Sequence, residues 1–164
     1  MCRASQRRWQ PQSPFASPAG ASFDIASLPA LALLKVWAWQ DRKYTAPRKD
    51  AIDLWEFLRH YADAGNQDRL YGSEGEAALA SFAFDVEQAG AWLLGRDARE
   101  VLTHGPDPKT ALEALDLILR PETDPDGSSQ LVAQMPGVNR DRQLSLLTAF
   151  HSGLVEDPAS RRAG

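Results

Sequence analysis

The sequence is poor in the residues that build disulfides and metal sites. It has one cysteine, Cys2, and three histidines dispersed along 164 residues. A single cysteine excludes an intrachain disulfide and favours a reducing compartment, so we expect a cytoplasmic protein. No two histidines have the spacing of metal ligands. No apolar run reaches the length of about 18 residues that a membrane-spanning helix needs, and we expect no membrane partner.

Common catalytic motifs are also missing. The sequence contains no glycine-rich phosphate loop, no HExxH or CxxC motif and no nucleophile elbow. Asp124 and Asp126 superficially resemble a metal-binding carboxylate pair, but they stand in a proline-rich stretch with no flanking strand. We interpret that stretch as a surface loop, and the sequence predicts no metal site.

Charge and length set further bounds. The net charge of −4 and the isoelectric point near 5.3 argue against non-specific binding to nucleic acid or to an anionic membrane. The length fits one domain with one core. Residues 1–22 contain three arginines, three prolines and no acid, and their lack of periodicity predicts disorder. We expect a helical domain over 23–154 and a polar tail over 155–164.

The periodicity predicts a mainly α fold, a bundle of about five to six helices, with one short strand at 23–25. The first helix begins after a Ser27 cap and runs to about residue 42. It is apolar on almost every side, which predicts a buried central helix. The second helix, 48–64, is amphipathic. Further helices are predicted over 74–81, 86–94 with Asp85 as the cap and Gly95 at the end, 109–119 and 139–154, with a loop over 120–130.

Lys35 is the one charged residue between Leu28 and Gln40. One interpretation is that its aliphatic stem lies on the apolar surface while the ammonium reaches water. The other is a cation held at a pocket to meet a phosphate or a carboxylate. The spacing alone leaves both interpretations open.

Asp50 lies between Phe57 and Tyr61 on the wheel of the second helix, close to its apolar face. A carboxylate there needs either a partner or a place at the helix start, where the helix dipole stabilises it. Asp53 lies at the edge of the same face. A pair between Lys35 and either aspartate would satisfy both residues, and that pair could be structural or functional.

Three stretches carry a family resemblance: SLPALALLK at 27–35, AWQDRK at 38–43 and RKDAIDL at 48–54. Their order resembles the C-terminal helical half of AbiEii/AbiGii-type nucleotidyltransferases, in which a lysine-bearing helix is followed by an arginine and then by a (K/R)D-x-x-D-L helix. The resemblance extends over about 23–102, half of the chain. Members of that family have a polymerase-β-like head and transfer a nucleotidyl group from a nucleoside triphosphate (NTP) with magnesium.

The resemblance implies roles for five residues. Lys35 would neutralise triphosphate oxygens, with Arg42 and Lys49 as further nucleotide-binding residues. Asp50 and Asp53 would be the catalytic residues of the helical half, acting as a base or as orienting groups. Some family members are toxins of toxin–antitoxin pairs that modify transfer RNA.

The catalytic head of that family has a Gly-Ser or Gly-Gly turn followed by two metal-binding carboxylates on a strand. This pattern should precede Phe23, and the 22 residues there do not contain it. We therefore expect a truncated member that is inactive as this chain, with the strand at 23–25 left from the head. Magnesium and NTP belong to the intact family and should not bind tightly here, and an RNA acceptor requires a supplied head. The alternative is a helical protein-interaction module, for example one with an antitoxin-like partner. The acidic balance disfavours a DNA-binding domain.

Overall fold

The structure, a computed structural model, describes residues 26–45 and 48–156. The segment predicted to be disordered, 1–22, and the predicted strand at 23–25 lie outside the described residues, as do residues 157–164 of the predicted tail. Throughout the described part the regular elements are helices, which confirms the mainly α fold class. None of these helices combines the length and the apolar character needed to cross a membrane.

Five long helices and three short ones make up the described part of the chain. The long helices have 12 to 18 residues, in agreement with the predicted number of five to six. The helices are α1 (Leu28–Arg42), α2 (Arg48–His60), α3 (Gln67–Leu70), α4 (Glu76–Ser81), α5 (Val86–Thr103), α6 (Pro108–Leu119), α7 (Gln130–Gln134) and α8 (Arg140–Val155).

Capping side chains mark where four of the long helices begin, and one of them is Asp107, which accepts from the Thr110 backbone nitrogen at 3.2 Å at the start of α6. Ser27 accepts a hydrogen bond from the backbone nitrogen three residues further on, at 3.4 Å. Asp85 and Asn139 do the same at 3.0 Å, at the starts of α5 and α8. Each cap satisfies a backbone N–H that has no partner inside its helix. The caps predicted at Ser27 and Asp85 are confirmed.

The buried central helix is α5. An unbroken run of α5, residues 89–95, is buried, and α5 packs against α1, α2, α6 and α8. Small residues in this run, among them Ala89, Gly90 and Ala91, let neighbouring helices approach from several directions. The prediction that the first helix is the buried central one is therefore wrong.

α1 instead lies at the surface. It buries one side, which includes Ala32, Val36 and Trp39. On the opposite side the Leu34 side chain is 58% exposed, and Leu31 and Ala38 are only partly buried. We call Leu31, Leu34 and Ala38 the α1 stripe. Its apolar character predicted burial, but no described element covers it.

Gly95 does not end a helix, contrary to the prediction. α5 continues eight residues beyond it, to Thr103. Gly95 lies where α5 crosses α8, and a Cβ atom there would overlap the backbone carbonyl oxygen of Phe150. The glycine therefore provides space for α8, and the continuous hydrogen bonds of α5 outweigh its low helix propensity.

The second predicted helix is shorter than expected. α2 ends at His60, and the chain kinks within Ala62–Asn66, where Ala64 and Gly65 have non-helical backbone angles and Gly65 has a φ of +92°. Glycine tolerates this left-handed conformation, so the stop signal predicted from Gly65 and Asn66 is confirmed, although the α-helix ends before the predicted residue 64.

Candidate functional site

α1 and α2 pack against each other and bring Lys35 between two aspartates of α2. The Lys35 Nζ atom is 3.2 Å from Asp50 Oδ1 and 2.5 Å from Asp53 Oδ2. Both aspartates lie in the first half of α2, three residues apart, so their side chains project from neighbouring positions of the helix. The predicted pairing of Lys35 with these residues is confirmed.

Asp50 is the buried centre of this group. Its side chain is 2% exposed, and its second oxygen, Oδ2, accepts a hydrogen bond from Arg42 Nη2 at 2.6 Å. A buried carboxylate is costly unless it is paired and hydrogen-bonded, and Asp50 has two cations for its two oxygens. Asp50 therefore fixes Lys35 and Arg42 beside each other. We call Lys35, Arg42, Asp50 and Asp53 the lysine cluster.

The lysine cluster is only partly shielded from water. Lys35 is 23% exposed, Asp53 34% and Arg42 53%. The hydrogen bond to Asp53, and to a smaller degree that to Asp50, raises the pKa of Lys35 above its ordinary value, against an opposing effect of burial. Lys35 is therefore a firmly charged ammonium, and it cannot act as a neutral base near pH 7.

Hydrogen bonds to α7 hold the C-terminal end of α1 that carries Arg42. Trp39 Nε1 donates to Gln134 Oε1 at 2.8 Å, and Gln134 Nε2 donates to the Lys43 carbonyl oxygen at 3.3 Å. The Lys43 ammonium lies 5.1 Å from the centre of the Trp39 ring. Because Gln134 of α7 anchors this end at both Trp39 and Lys43, the backbone that carries the Arg42 guanidinium has a fixed position beside Asp50.

Lys49 is the one predicted site residue that the structure places apart from the lysine cluster. It is exposed in the first turn of α2. Across residues 26–45 and 48–156 no ion pair of Lys49 is observed. Its charge can contribute to the local potential around the cluster, but no direct contact links it to Lys35.

The sequence reasoning missed a second buried ionic group. Asp97 of α5 is 9% exposed, and it accepts two hydrogen bonds from Arg69, at 2.7 and 2.8 Å, and one from the Tyr61 hydroxyl at 2.6 Å. Glu74 forms ion pairs with both Arg69 and Arg96. We call these five residues the α5 carboxylate cluster.

The α5 carboxylate cluster joins the connection after α2 to the central helix. Burial, followed by the hydrogen bond to Asp97, raises the pKa of Tyr61, so its hydroxyl remains a donor. The hydrogen bonds to Asp97 raise the pKa of Arg69. All of the principal donors and acceptors are matched within the cluster, which indicates a structural role. An acid within the buried stretch of α5 is the signal that could have revealed it.

The magnesium that the family resemblance implies does not fit the lysine cluster. Asp50 and Asp53 are the carboxylates of the cluster, and both are already paired with cations. No group of three or more histidine, cysteine, aspartate or glutamate side chains suited to a metal occurs in the described part of the chain. Asp124 and Asp126 lie in an exposed loop, as predicted, where Asp124 Oδ1 accepts from the Asp126 backbone nitrogen at 3.0 Å.

No family model, curated protein or solved structure matches this chain. Any assignment of the lysine cluster therefore rests on its residues and their geometry.

Proposed function

We propose that this chain is the helical half of a nucleotidyltransferase of the AbiEii/AbiGii type, and that the lysine cluster contacts the triphosphate of an NTP. One observation carries the proposal: the three short sequence stretches of the resemblance converge on one partly exposed group. Lys35 comes from the first, Arg42 from the second, and Asp50 and Asp53 from the third.

Each residue of the cluster has a distinct task in this proposal. Lys35 is a point charge for phosphate oxygens, and Arg42 offers a more exposed guanidinium beside it. Asp50 is a positioning residue, because it is buried and orients both cations without an exposed oxygen of its own. Asp53, at the rim, lies close enough to Lys35 to respond to a bound anion.

The described residues would bind and orient but would not complete the transfer. Magnesium, when bound to an intact member of the family, neutralises phosphate charge during nucleotidyl transfer. The lysine cluster does not provide a site for it, so a surface with free carboxylates must be supplied. An RNA acceptor likewise enters only with that surface, and we place the reaction in the cytoplasm, where NTP and RNA occur.

Calorimetric titration of the full chain with ATP tests the binding role. We expect weak binding to the wild type, with a Kd of roughly 1 mM, equivalent to about −4 kcal/mol. Lys35→Met should abolish it. Lys109→Met is the matched control, because Lys109 is an 87% exposed lysine on α6, paired with Glu113 and outside the cluster. Equal binding by the wild type and Lys35→Met would refute the proposed role.

Incubation with labelled NTP, magnesium or manganese, and bulk transfer RNA tests the catalytic part. We expect no labelled RNA above a protein-free blank, because the described residues hold no group of three or more side chains suited to a metal, and both carboxylates of the lysine cluster are paired with cations. Labelling that depends on the added chain would show that the chain transfers nucleotides by itself.

A helical protein-interaction module, for example one that binds an antitoxin-like protein, is the second candidate. The α1 stripe favours it, since Leu34 is a large apolar side chain that is 58% exposed. Beside the stripe, Trp37, Ala111 and Ala114 contribute to an apolar cleft of about 400 Å³ between α1 and α6. Exposed apolar patches of this kind often mark protein contacts.

The Leu34→Glu variant separates the two candidates. If the α1 stripe binds an antitoxin-like protein, sedimentation velocity should show a complex of that protein with the wild type that the variant cannot form, while the variant retains its unfolding free energy. A variant that forms the complex as well as the wild type would eliminate the stripe as the contact surface.

A further inference from the structure

The lysine cluster carries no net charge in the arrangement that the structure describes. Lys35 and Arg42 are balanced by Asp50 and Asp53, each within 3.2 Å of a cationic nitrogen. A polyphosphate that approaches this group meets cations whose charge is already compensated. The cluster can bind such an anion well only if one carboxylate separates from the cation with which it is paired.

The two aspartates differ in their ability to do so. Asp50 is 2% exposed and holds two cations, so moving it would leave a buried charge without partners. Asp53 is 34% exposed and pairs with Lys35 alone among the described residues. Ion pairs near the surface are worth little, because water solvates the separated charges. Asp53 is therefore the carboxylate that can turn away at small cost.

We propose that Asp53 is a built-in competitor for Lys35, a carboxylate that occupies the ammonium until a polyphosphate displaces it. The inference rests on the proposed function, because it concerns regulation of the same phosphate site. Asp53 rotates towards water, a phosphate oxygen takes its place 2.5 to 3 Å from the Lys35 ammonium (about the usual length of a charged hydrogen bond), and Asp50 remains.

This exchange gives the site a preference among anions. A singly charged anion replaces one carboxylate charge with one charge and gains nothing from Coulomb attraction. A polyphosphate brings several charges and can contact Lys35 and the exposed Arg42 together. The ligand class is therefore a polyphosphate chain, as in an NTP, and acetate or a single phosphate should bind much more weakly.

Calorimetric titration of the full chain with inorganic tripolyphosphate tests the inference. Asp53→Asn removes the competing charge and keeps the size of the side chain, and it should tighten binding about tenfold or more. Asp53→Glu keeps a carboxylate and should bind like the wild type. Glu56→Gln is the matched control: it removes one charge from a half-exposed position of α2, where the carboxylate lies 3.4 Å from His60 and not beside Lys35. It should alter binding less than about twofold, as expected for a screened surface charge.

The outcomes distinguish the inference from the proposed function. If the wild type binds tripolyphosphate, Lys35→Met does not, and Asp53→Asn binds no tighter than Glu56→Gln, the competitor role is overturned and the phosphate site stands. If neither the wild type nor Asp53→Asn binds, or if Lys35→Met binds equally well, both fail. If Asp53→Asn tightens binding and this gain disappears in the double variant with Lys35→Met, both the competitor role and the phosphate site are supported.

Discussion

Replacing Gly95 with alanine tests the packing at the centre of the fold. In an exposed helix this change is favourable by about 0.5 to 1 kcal/mol, because glycine has the greater freedom to lose on folding. In α5 the sign should reverse. A Cβ on Gly95 would overlap the Phe150 carbonyl oxygen and lie 2.9 Å from the Leu154 backbone nitrogen. These are backbone atoms of α8, which cannot rotate out of the way as a side chain can.

The size of the effect follows from this geometry. α8 must withdraw by roughly 1 Å to restore ordinary contacts, and a gap of that size forfeits a quarter to a half of the dispersion energy of the atoms that part. Sliding α8 along its axis gives little relief, because Gly153 makes the reciprocal contact: a Cβ there would overlap the Trp92 carbonyl oxygen. Overpacking costs about 1 to 3 kcal/mol at ordinary sites, and we expect about 3 kcal/mol or more here.

Urea unfolding, monitored by tryptophan fluorescence, measures the change in unfolding free energy. With a slope of about 1.5 kcal/mol per molar urea, the midpoint for Gly95→Ala should fall by about 2 M. Thr148→Ala, at an exposed position of α8, is the control for helix propensity and should lie within about 0.5 kcal/mol of the wild type. A Gly95→Ala protein as stable as the wild type would refute the close crossing of α5 and α8.

Three further predictions concern ionic and hydrogen-bonded groups. A double-mutant cycle of Lys35→Met with Asp50→Asn should give a coupling of about 1 to 2 kcal/mol, and a value below about 0.5 kcal/mol would reject the pair. Hydrogen bonds from Arg142 lower the pKa of Asp85 to about 2, so Asp85 contributes stability that is present above about pH 4 and is lost as the pH falls towards 2. Between pH 5 and pH 2 the wild type should therefore lose about 1 to 2 kcal/mol more unfolding free energy than the Arg142→Met variant. Equal losses in the two proteins would contradict this. Tyr61→Phe removes the hydroxyl donor of the α5 carboxylate cluster and should cost about 1 to 2 kcal/mol in the same urea assay; no loss would exclude a stabilising hydrogen bond.

The sequence predicted the starts of helices well because the information is local. Ser27 and Asp85 precede apolar segments and bond the backbone three residues away, so a short window of sequence contains both partners. The end predicted at Gly95 was wrong for the opposite reason. Its role depends on Phe150, 55 residues further along the chain, and a local pattern cannot distinguish a packing glycine from a terminating one.

The same distinction explains which ionic groups were predicted. Lys35 is conspicuous as a lone charge among the apolar residues of its helix, and Asp50 as an acid close to the apolar face of the next helix. Each therefore indicated a need for a partner. Asp97 binds Arg69 and Tyr61, which are 28 and 36 residues away. Arg69 and Tyr61 look ordinary in their own segments, so the one local mark of the α5 carboxylate cluster was Asp97 itself, an acid in a largely buried helix, and its partners could not be predicted from the sequence.

The α1 stripe shows how a wrong prediction can still carry information about function. Apolar residues on every side of α1 predicted burial, and the described residues cover one side only. Lys35 and Arg42 each lie four residues after a member of the stripe, so they flank it on the helix surface. A surface that covers the stripe would therefore also approach the lysine cluster. The two candidate functions thus share one side of α1, and they differ in the interaction that carries each: Lys35→Met should abolish phosphate binding, and Leu34→Glu should abolish the protein complex.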